Sequence, residues 1–146
     1  MFKIKRSMAS LSLILVGAGL GLGLAQLLSI AEAQSNSRVF ELRTYTVFPG
    51  RLDALHARFA EHTIGLFERH GIKSMAYFSP QDSPTSENTL IYILAHDSRA
   101  AAEANWAAFR ADPEWQRVSE ESQRDGRIVE NVDKVFMEAT YYSPMK

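Results

Sequence analysis

The chain contains no cysteine. That absence excludes a disulfide framework, a thiolate nucleophile and any zinc site built on cysteine, so the fold must hold by packing. No H-E-x-x-H pair, no facial-triad spacing and no glycine-rich phosphate loop occurs in the sequence, which removes the common signatures of metallohydrolases and nucleotide-binding enzymes. Charge of one sign is also lacking, because 16 basic residues face 17 acidic ones for a formal net charge of −1. Nucleic-acid binding calls for a basic stripe and an anionic membrane surface for a polybasic segment. The sequence offers neither, and no motif calls for a metal or a cofactor. Half of the 8 glycines, Gly17, Gly19, Gly21 and Gly23, fall in an apolar N-terminal run rather than in a catalytic loop.

What remains is a chain of 146 residues, 46% apolar and 23% charged, the make-up of one packed domain. Lys3, Lys5 and Arg6 precede an apolar stretch at 8–30, and Ala31-Glu32-Ala33 follows it. This is the plan of a secretory leader, residues 1–33, with cleavage between Ala33 and Gln34. This mainly apolar stretch of 23 residues exceeds the usual leader core of about 7–15 and reaches the ~20 needed to cross a bilayer. An uncleaved signal anchor is therefore the alternative, although the glycines weaken a helix there. Both readings place the domain outside the cytoplasm, periplasmic or secreted, and the membrane is a partner only if the leader stays. Loss of Lys3, Lys5, Arg6 and Glu32 with the leader takes the net charge from −1 to −3.

Residues 34–38 form a short polar linker. Residues 39–47 alternate β-branched and aromatic side chains, which predicts a strand. Leu52, Leu55, Phe59, Leu66 and Phe67 recur at helical spacing across 51–70, with Gly71 placed as the closing glycine. Strands are expected at 72–78 and 89–95 around a proline-bearing loop at 80–88. Ser98 should cap a helix to about Ala111, and Asp112-Pro113 should start another to about Arg124. A final strand is read at 135–142. The order is β-α-β-β-α-β, the ferredoxin-like α+β arrangement.

Four blocks of this domain, ELRTYT at 41–46, RFAEHTIGLFERHGI at 58–72, ANWAAFRADPEWQRV at 104–118 and YYSP at 141–144, resemble the NIPSNAP family, and the resemblance spans 39–144. It implies a dimeric α+β barrel, in which two copies of the chain pair their sheets around a cavity. It names no reaction, since NIPSNAP-like domains have none agreed, while related barrels include cofactor-independent monooxygenases and haem-degrading enzymes.

Side chains alternate between the faces of a strand. Phe40, Leu42, Thr44 and Thr46 are expected to pack under the helices, leaving Glu41, Arg43 and Tyr45 to line the barrel as an acceptor, a bidentate cation and a phenol. Such a trio suits a carboxylate or carbonyl ligand; equally, Glu41 and Arg43 can satisfy each other as a buried pair. His62 is a second candidate, as an acid or base near neutral pH or as a histidine bonded within the fold. His56 and His70 lie about 21 Å apart along a helix, so no helix-borne metal pair forms. Trp106, with Phe109 and Trp115, reads either as a cavity wall or as core. Three functions fit: a ligand-binding barrel, a cofactor-free oxidoreductase or isomerase using Arg43 with His62 or Tyr45, and a module whose sheet serves only to dimerise.

Overall fold

The computed structural model describes residues 38–145; the leader, its cleavage point at Ala33 and Gln34, and nearly all of the linker lie outside the described residues. Among those residues no helix is long and apolar enough to cross a membrane. The elements are β1 (Val39–Val47), a helix α1 over 52–69, β2 (Lys73–Phe78), β3 (Thr89–His96), α2 (Arg99–Ala111), α3 (Pro113–Glu121) and β4 (Val129–Glu138). A single 3₁₀ turn, Thr85–Glu87, interrupts the loop between β2 and β3. The α+β, ferredoxin-like order expected from the sequence is the order observed.

Helix boundaries follow local chemistry. Ser98 Oγ accepts the amide of Ala101 at 3.0 Å to start α2, and Asp112 Oδ1 accepts the amide of Glu114 at 2.7 Å to start α3, with Pro113 in the first turn where no donor is lost. Gly71 closes α1 at φ 70°, which lets the amide of Ile72 reach the Phe67 carbonyl at 2.9 Å. One feature of α1 has no counterpart in its apolar spacing: Phe59–Thr63 is a π-helical turn set between two α-helical segments, Leu52–Arg58 and Ile64–Arg69.

The four strands form one sheet in the order β2-β3-β1-β4, every neighbour antiparallel. β4 departs from expectation. It runs from Val129 to Glu138, and Tyr141 and Tyr142 lie beyond it, exposed. Glu130, Asn131, Asp133 and Lys134 mask its first half in the sequence; an edge strand tolerates such residues because only one side of it is paired.

The helices cover one face of the sheet, and the core lies between them: Leu55, Phe59, Leu66 and Phe67 of α1 with Trp106 and Phe109 of α2, against Tyr92 and Leu94 of β3. The two faces of β1 are the reverse of the sequence expectation. Glu41, Arg43 and Tyr45 point at the helices, where Glu41 bonds Trp106 and the Tyr45 ring meets Phe59 edge-on at 5.9 Å. Leu42 and Thr44 are on the open face, in register with Ile93 and Ile91 of β3. The physical reason is the helices' own chemistry. Trp106 brings an indole N–H that needs an acceptor, while the open face carries apolar and hydroxyl side chains that need only a second layer.

Candidate functional site

Beneath α2, Glu41 is fully buried and fully engaged. Its carboxylate accepts Arg43 Nη1 at 2.8 Å, Trp106 Nε1 at 2.7 Å and His96 Nε2 at 3.0 Å. Burial alone would raise its pKa, but the bonds from His96 and Trp106 and the charge of Arg43 outweigh it and hold the carboxyl below the usual value. Arg43 also lies over the Trp106 ring at 4.3 Å and 5.5 Å from the Tyr45 ring centre. Burial disfavours its charge, yet the Tyr45 and Tyr92 hydroxyls and Glu41 more than compensate, and its pKa rises. Glu41, Arg43, Trp106 and His96 thus form a buried polar cluster centred on the carboxylate, in which Arg43 Nε and His96 Nδ1 have no hydrogen-bond partner among the described residues.

Next to it is a cavity of about 220 Å³ between the sheet and the helices. Tyr45 and Val132 line its sheet side, Phe59 and Arg58 its α1 side, and Phe109 and Trp115 the side formed by α2 and α3. The Tyr45 ring packs on Tyr92 at 5.4 Å and so joins the cavity wall to the core. Tyr92 is wholly buried, and its hydroxyl meets no hydrogen-bond partner among the described residues. Burial, with Tyr45 alongside, pushes its pKa well above the ordinary tyrosine value, so it stays a neutral phenol.

Arg58, only 6% exposed, was not singled out from the sequence. Its Nη1 donates to Ser122 Oγ at 3.5 Å, its guanidinium carbon is 5.5 Å from the Trp115 ring centre, and its Nε has no hydrogen-bond partner among the described residues. Burial lowers its pKa, and the Tyr45 and Tyr92 hydroxyls offset only part of that. The sequence did carry a signal: Arg58 follows Leu55 by three residues and precedes Phe59, so it sits on the apolar stripe of an amphipathic helix rather than on its solvated face.

The candidates named from the sequence are thereby separated. Tyr45 reaches the cavity, Glu41, Arg43 and Trp106 form the adjoining cluster, and His62 is on the outer side of α1, its side chain 40% exposed and 3.9 Å from Glu61. The π-helical turn accounts for His62. Regular α-helical spacing would set it near the line of Leu55, but the widened turn brings Thr63 inward instead, buried and bonded to the Arg58 carbonyl at 3.0 Å. His70 serves α3, bonding its capping Asp112 at 2.6 Å. No group of side chains suited to a metal ion occurs among the described residues.

This architecture has known relatives. A NIPSNAP family protein of unknown function from Agrobacterium tumefaciens superposes with a TM-score of 0.66 at 23% identity, covering 76% of this chain and 96% of its own. An uncharacterised NIPSNAP-like domain protein from Burkholderia xenovorans gives 0.65 at 16% identity, covering 75% and 90% respectively. A second NIPSNAP family protein from Agrobacterium tumefaciens gives 0.65 at 17%, covering 75% and 99%. These likenesses bear on the fold alone, an α+β arrangement of a four-stranded antiparallel sheet with its helices. No curated protein sequence matches. The family assignment comes from the sequence itself: residues 40–144 match NIPSNAP, and the chain belongs to that family.

Proposed function

We propose that this NIPSNAP domain works outside the cytoplasm as a homodimeric binding protein for a small, largely apolar ligand bearing a carbonyl or carboxylate group. The observation that carries the reading is the cavity. It is a half-open cleft of about 220 Å³ beside the core, the space of several waters at ~30 Å³ per molecule. Its walls combine aromatic side chains, Tyr45, Phe59, Phe67, Phe109 and Trp115, with the polar groups of Arg58, Thr63, Ser119 and Gln123, a mixture that suits a small molecule with an apolar body and a polar end. The ligand is thereby moved from the space between two paired sheets to the space within each subunit. Dimerisation is supported by the open sheet face, where Phe78 and Val135 are 52% and 54% exposed beside Leu42, Ile91 and Ile93; such a face asks for a second layer. Export is supported by the basic residues that precede the apolar run.

Native mass spectrometry of the protein purified from its own compartment tests the reading. Expected are a dimer that begins at Gln34 and a non-covalent adduct that leaves on denaturation. Val132→Phe, which fills the cavity, should abolish the adduct without lowering the melting temperature. A bare mass in both proteins, under conditions that keep the dimer intact, would refute ligand binding.

A further inference from the structure

Two arginines flank the same pair of phenols, and their surroundings differ. Arg43 is paired with Glu41, which also accepts His96 and Trp106. Arg58 has a neutral hydroxyl at the outer limit of hydrogen bonding, an aromatic ring, and no carboxylate partner among the described residues. Tyr92 supplies no negative charge, being held as the phenol by burial. Charged side chains this deeply buried are ordinarily paired, because a lone ion inside protein costs several kcal/mol. The cavity wall therefore carries one positive charge that nothing in the described fold neutralises.

We propose that Arg58 is the receptor for the carboxylate of a small apolar monoanion bound in this cavity, and that Phe59, Phe109 and Trp115 hold its apolar body. The inference rests on the reading of the cavity as a ligand site and adds the charge and class of the ligand. A planar guanidinium matches a carboxylate through two parallel N–H···O bonds. A body of about one ring fits the cleft of about 220 Å³. Position supports the assignment as well: Arg58 immediately precedes the π-helical turn, a feature that recurs at functional sites, and Thr63 of that turn fixes the Arg58 carbonyl at 3.0 Å. Ser119 and Gln123, both at the cavity wall, add neutral hydrogen-bonding groups beside it.

The test is calorimetric titration of the purified protein, at constant ionic strength, with benzoate, with its neutral isostere benzamide, and with chloride. Benzoate should bind at least about tenfold more tightly than benzamide, the margin of a hydrogen bond to a charged group. In Arg58→Met the two affinities should converge to within about twofold. Should that variant fail to fold, Arg58→Lys keeps the charge but loses the fork, and it should retain only part of the preference. Benzamide binding as tightly as benzoate to the unaltered protein would overturn the charge assignment and leave the cavity reading standing. Failure of both ring probes would remove the cavity reading and this inference with it. Chloride competing as well as benzoate would mean that Arg58 holds an inorganic anion, and the carboxylate class would be wrong.

Discussion

At the scale of single residues, the polar groups under the helices divide into one carboxylate with three donors and one cation without a counter-ion among the described residues. Glu41 shows how much a buried acid can be asked to do: three donors converge on it, and together they keep it ionised in spite of burial. Because its pKa is depressed in the folded protein, it contributes stability that is fully present above the unfolded carboxyl value of 4.5 and is lost as the pH falls through the lower folded value. Urea unfolding between pH 7 and pH 3 should therefore show the unaltered protein losing stability with acid more steeply than Glu41→Gln. The gap between the two should narrow as the pH drops; a gap independent of pH would mean that Glu41 is not ionised in the fold. Glu41 and Arg43 were legible in the sequence as a polar pair on one face of β1. Arg58 was not, because an arginine within an amphipathic helix reads as solvated unless the apolar stripe around it is followed residue by residue. The π-helical turn was likewise hidden, since spacing counts assume 3.6 residues per turn.

At the scale of elements, legibility depended on whether an element advertises itself by local chemistry. β1 was read with its observed bounds, and both caps of the α2–α3 pair, Ser98 and Asp112, act as their positions implied. β4 was read about six residues late, because an edge strand with charges along its length resembles a loop until its pairing partner is known. Which face of β1 meets the helices was equally hidden: alternation separates two faces but does not say what covers each. Gly71 gives a direct check on how α1 ends. Its φ of 70° and the Asn105 Nδ2 atom, 3.2 Å from where a Cβ would stand, leave no easy room for a side chain. Gly71→Ala should lower stability by about 1–2 kcal/mol, measured by urea unfolding, and an unchanged midpoint would mean that the helix ends differently in solution.

At the scale of the whole molecule, the domain is one sheet with helices on a single face, so half of its sheet surface is left for another layer. A second copy of the chain is the proposed cover. Placing a charge there should prevent it. Val135→Asp should sediment as a monomer at micromolar concentration where the unaltered protein sediments as a dimer; a monomeric unaltered protein would contradict the proposal. Under this proposal the open face serves assembly, and the cleft on the helix-covered side serves the ligand.

The central claim is that Arg43 belongs to the fold whereas Arg58 belongs to the ligand, and the melting temperatures of two matched variants, measured after exhaustive dialysis, test it most directly. Arg43→Met leaves Glu41 buried without its cation and should be destabilised by about 3–5 kcal/mol. Arg58→Met removes an unpaired buried charge and keeps the packing volume, so its melting temperature should rise above that of the unaltered protein. A fall in Arg58→Met comparable with that in Arg43→Met would show that Arg58 is held by the fold itself and would contradict the account.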